Sequence, residues 1–146
     1  MHIFEKQGGG NNIKLINILI LWLLVQANAH GGDTPKEMLD NIFAISEMSA
    51  IASLCFDDSN VNPEQQIQFI EADIELGKLV QAIGDHYEDN SVYLTYVISS
   101  GKLQEDAALQ RNIWSRYGGC GKFLLEDLNS RISADKSKIR TFLSNN

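Results

Sequence analysis

Cysteine, histidine, proline and clustered positive charge are all scarce in this chain of 146 residues, and each scarcity removes a class of function. The two cysteines, Cys55 and Cys120, are too few for a structural zinc site and form no Cys-x-x-Cys redox motif. Three histidines occur without a Glu-x-x-His, so a di-iron site of the helical-bundle type has no ligand set. With 12 Lys and Arg against 19 Asp and Glu, the net charge of −7 excludes a phosphate-neutralising nucleic-acid binder and disfavours an anionic membrane surface. Gly118, Gly119 and Gly121 are not followed by the Lys-Ser/Thr of a phosphate loop. No Ser or Cys stands at a spacing that pairs it with a histidine for nucleophilic catalysis. No catalytic residue and no cofactor is therefore implied. Only two prolines interrupt the chain, at Pro35 and Pro63, and both lie where helices are expected to start.

What is present begins with an export signal. Lys6 and Lys14 flank a Gly8–Asn12 run, Leu15 to Val25 is apolar except for Asn17, and Gln26-Ala-Asn-Ala29 offers small residues at a cleavage site. The layout is that of a secretory signal peptide over residues 1–29, cut after Ala29. Eleven residues at 1.5 Å each fall short of a ~30 Å hydrocarbon core, so no permanent membrane span is expected. Cleavage removes Lys6, Lys14 and Glu5 and leaves 10 basic and 18 acidic side chains, a net of −8. The expected compartment is oxidising, secreted or periplasmic. The absence of an Asn-x-Ser/Thr site after Ala29 favours the periplasm.

Residues 30–33 read as a flexible leader and 34–144 as a single helical domain. Thr34-Pro-Lys-Glu37 resembles a capping box, followed by apolar residues at helical spacing to Phe56 with no charge after Glu47. Asp57-Asp-Ser-Asn60 closes this first helix. Asn62-Pro-Glu-Gln65 opens a second, with Ile67, Phe69, Ile70, Ile74, Leu76, Val80 and Ile83 in two adjoining stripes to about Glu88. The Val92–Ile98 run has the composition of a strand. No second strand exists to pair with it, so a third helix is expected, capped by Ser91 and breaking at Ser99-Ser-Gly101 before resuming to Arg116. The fourth starts after Gly118-Gly119, with Leu125, Leu128, Ile132, Ile139 and Phe142 on one side.

Short connections favour an all-α, up-down four-helix bundle. That topology brings the end of the first helix and the start of the fourth to one end of the molecule, where a Cys55–Cys120 disulfide closes the fold. The opposite end gathers His30, the expected new N-terminus, and His86. An N-terminal amine with two imidazoles could hold copper. Between Asp57 and Asp106 there are eleven acidic and two basic residues. Asp57, Asp58, Glu71 and Glu75 are accordingly candidates for docking a basic protein partner. Trp114 and Tyr117 are expected to pack at the bundle end. The function class favoured is a small exported binding protein: an inhibitor, an immunity-type protein or a chaperone-like partner; the alternatives are a copper-binding protein using His30 and His86 and a small periplasmic enzyme.

Overall fold

A computed structural model describes residues 34–145. Five helices follow in order: α1 Lys36–Phe56, α2 Pro63–Tyr87, α3 Ser91–Gln104, α4 Ala107–Tyr117 and α5 Lys122–Asn145. Helices α1, α2, α3 and α5 form the expected up-down bundle, and the short α4 links the end of α3 to the start of α5. Their directions follow from side-chain pairs. Thr34 meets Asp89 and Ser49 meets Ser100, so α3 runs parallel to α1. Glu37 meets Lys138 while Cys55 meets Cys120, so α5 runs antiparallel to it.

Helix α1 is the centre because its buried residues lie on several sides of the helix. Met38, Ile42, Ile45, Met48, Ala52 and Cys55 are wholly buried, and Ser46 and Ser49 are buried with them. It packs against α2, α3 and α5 at once. By length and mean hydropathy, 1.3 over its best 18 residues, α1 could cross a membrane, but 56% of that window is buried within the bundle. The uncharged end of α1 is thus covered inside one chain, and only Phe56 at its tip is exposed.

Capping departs from the sequence reading at two of three starts. Asn62 caps α2 as expected, accepting from the Gln65 N–H at 2.9 Å. Thr34 does not cap α1; its hydroxyl donates to Asp89 at 2.8 Å, and Glu37 turns to Lys138 instead of reaching back. Ser91 does not cap α3 either. Asp89 does so, accepting from the Ser91 N–H at 3.0 Å and its hydroxyl at 2.6 Å. A buried carboxylate with three donors outcompetes local caps because it satisfies two elements together. The third helix also fails to break at Ser99-Ser-Gly101. It ends at Gln104, and Asp106 starts α4 by accepting from the Ala108 N–H at 2.8 Å.

The Cys55–Cys120 disulfide is present, with Cα atoms 5.3 Å apart. Gly118 and Gly119 adopt positive φ and return their N–H groups to the carbonyls of Trp114 and Ile113, ending α4 so that Cys120 faces α1. Three ion pairs then set α5 along the bundle: Arg131–Glu47 at 3.5 Å, Lys136–Glu75 at 3.1 Å and Lys138–Glu37 at 3.7 Å. All are partly solvated and individually weak. The bridge spans 65 positions of sequence, and chain-entropy arguments give about 4 kcal/mol for a loop of that size. Replacing both cysteines by serine should lower the urea-unfolding free energy by that order; a loss under ~1 kcal/mol would show that the helix contacts alone hold α5 in place.

Candidate functional site

Two polar constellations stand out, one buried and one open. The buried one joins α1, α2 and α3. The Ser49 hydroxyl donates to Asp73 at 2.5 Å and accepts from Tyr96 at 3.0 Å and Ser100 at 3.1 Å; Tyr96 also lies 3.4 Å from Asp73. Burial pushes the Tyr96 phenol up to about 12, and the nearby Asp73 charge adds to the rise. The Ser49 side chain is shut off from solvent, and its hydrogen bonds tie α1, α2 and α3 together. Such a node fixes the rotation of three helices, since a slip in any one orphans a buried hydroxyl.

The open constellation is a groove of about 670 Å³ between the parallel helices α2 and α5. Ala72, Leu125 and Ile132 form its apolar floor. Glu64, Gln68 and Glu71 rise from α2, and Glu126 and Asn129 face them from α5. Glu75 lies at the upper end, where hydrogen bonds from Lys136 and then Lys78 hold its carboxyl below the usual range. Lys122 sits 3.7 Å from Glu126. Glu64 and Glu71 form no ion pair among the described residues and carry the groove's uncompensated charge.

Of the four acids singled out in the sequence, the structure brings Glu71 and Glu75 into this groove and leaves Asp57 and Asp58 outside it. Asp58 is occupied within its own loop, accepting from the Asn60 backbone N–H at 2.9 Å and its side-chain amide at 3.1 Å. Glu64, Gln68 and Glu126 were not singled out. The α2 pair was readable, since 64, 68, 71 and 75 share one helical face; Glu126 required the register of α5 against α2.

Neither protein-family models, nor curated proteins, nor solved structures give a match.

His86 is exposed near the end of α2, its ring edge-on to Tyr87 at 4.8 Å, and His30 lies outside the described residues. Among the described residues no group of three His, Cys, Asp or Glu is placed to hold a metal. At the other end, Trp114 departs from its expected packing role. It is 62% exposed, with its ring laid over Gly119 so closely that a Cβ there would stand 2.9 Å from it. Tyr117 does pack at the bundle end, donating to Asp127 at 2.7 Å, a bond that raises its phenol above the ordinary value.

The buried node makes a pH prediction. Tyr96 keeps its proton in the fold when the unfolded chain, near 10, has lost it. The folded pKa is the raised one, so this stabilisation is complete below pH 10 and is lost as pH rises toward 12. The loss is of order 2–3 kcal/mol. Tyr96→Phe should flatten the alkaline limb of the stability curve over that window; an unchanged limb would place the phenol in contact with water.

Proposed function

We propose that the protein is an exported, non-catalytic binding protein, of the inhibitor, immunity or chaperone-like kind, whose α2–α5 groove receives a basic segment of a protein partner. The observation that carries the reading is the pairing of an apolar floor at Ala72, Leu125 and Ile132 with rim carboxylates, Glu64 and Glu71, that form no ion pair among the described residues. An extended or helical segment bearing Lys or Arg beside aliphatic residues meets both needs. The floor supplies desolvation, and the rim supplies attraction and orientation.

Export rests on the leader read from residues 1–29, and the disulfide fits the oxidising compartment to which such a leader delivers. In a periplasm, a small stapled bundle withstands conditions that unfold an unbridged domain of this size. Its acidic surface keeps it soluble and speeds encounter with basic partners.

The test is capture of periplasmic proteins on the immobilised processed chain, beside the Glu64→Lys/Glu71→Lys variant. A basic protein should be retained at low salt, released on raising the salt above about 0.5 M, and held at least tenfold less by the variant. Equal retention by the variant would remove the groove from the reading, and retention insensitive to salt would remove the electrostatic basis.

A further inference from the structure

We propose that a dimple between α1 and α2, at Asp73, binds a small amphiphilic cation: an ammonium group on an apolar tail of about six carbons. The dimple holds about 190 Å³ and shares no residue with the α2–α5 groove. Its floor is apolar and wholly buried, formed by Ala52 of α1 and Phe69 of α2. Phe56, Ile70 and Ile74 make its walls, and Phe56 and Ile74 are about half exposed. Among the residues that line it, Asp73 alone is charged.

That carboxylate is held but not neutralised. Asp73 is partly buried and forms no ion pair among the described residues. Its two hydroxyl donors, Ser49 at 2.5 Å and Tyr96 at 3.4 Å, reach the same oxygen, Oδ1. The second oxygen, Oδ2, accepts no hydrogen bond from the described residues. The fold therefore fixes the position of the charge and leaves one acceptor for something else. Beside apolar walls, less water screens a charge pair, so an ammonium donor is favoured there over a neutral one.

Size and shape set the tail. The Ser49–Asp73 bond puts the carboxylate level with Ser49 of α1. Phe56 stands two turns further along the same helix, about 10 Å away at 1.5 Å per residue. An ammonium at Asp73 with an extended tail of about six carbons spans that distance and ends against the Phe56 ring. The volume agrees: about 190 Å³ is the space of roughly six waters, close to the non-hydrogen atoms of hexylammonium. The tail covers Phe69 and Ala52 and supplies the desolvation, while the head group supplies the orientation.

Titration of the processed, disulfide-bonded chain with n-hexylamine at pH 7, followed by the NMR shifts of Ser53, Ile70 and Ile74, tests this. A ligand of this size should bind in the millimolar range, saturating below about 20 mM. n-Hexanol, which keeps the tail and lacks the charge, should bind at least about tenfold more weakly. Asp73→Asn keeps an oxygen for Ser49 and Tyr96 and removes the charge, so it should bind hexylamine no better than hexanol. Ser53→Met fills the dimple and should lose both probes. Glu64→Lys/Glu71→Lys should bind hexylamine as the unaltered chain does, which separates this site from the groove. Equal affinity of the unaltered chain for hexylamine and hexanol overturns the proposal, and that comparison needs no variant to fold. So do undiminished binding by Asp73→Asn, shifts confined to the groove, and the absence of any shift at about 20 mM.

Discussion

The fold depends on hiding α1. Eleven of its 21 residues are buried, and they are distributed around the helix rather than along one stripe. One partner helix covers about one side of such a rod, so α1 needs neighbours on several sides. Helix α2 supplies the first through a short loop, α3 returns for the second, and α5 must cross the molecule to supply the third. The placement of α4, the glycine turn and the disulfide all serve that last step. They carry the chain to the far side of α1 and fasten it there.

Hydrophobic burial brings four helices together without deciding their rotation. Two buried polar points do that. At the middle, Ser49 is shared by α1, α2 and α3; at one end, buried Asp89 ties Thr34 to the start of α3. Both use a carboxylate that accepts from two hydroxyls, which offsets the cost of burying those polar groups. The consequence for function is a rigid frame with its variation outside. One flank carries an acidic groove over an apolar floor, and another carries an apolar dimple beside a single carboxylate.

Much of the fold was legible because it rests on local chemistry. The Asn62 cap, the apolar runs of α1 and α2 and the glycine stop before Cys120 each follow from a few adjacent residues. The disulfide was legible because helix order and short loops place two cysteines at one end. What was missed needed information between elements. Thr34 reads as a cap from its neighbours, but it serves Asp89, 55 positions away. Ser99-Ser-Gly101 reads as a break, but Ser100 spends its hydroxyl on Ser49 and the helix continues. Trp114 reads as core because tryptophans usually are, and only the turn at Gly118-Gly119 shows that its ring covers backbone. For the groove, the α2 half lies on one periodic face, while the α5 half depends on a register set by Lys136, Lys138 and Arg131. The Asp57-Asp58 pair looked equivalent to Glu71 in composition, yet Asp58 is consumed by its own loop.

Native-state hydrogen exchange reads the central claim most directly, because it ranks helices by the opening each requires. If α1 is the element that every other packs to cover, the amides from Ile45 to Cys55 exchange only through global unfolding. Those of α4, which buries only Leu109 and Ile113, exchange through smaller local openings. Amides of α1 exchanging as readily as those of α4, under conditions where α2 remains protected, would contradict the account.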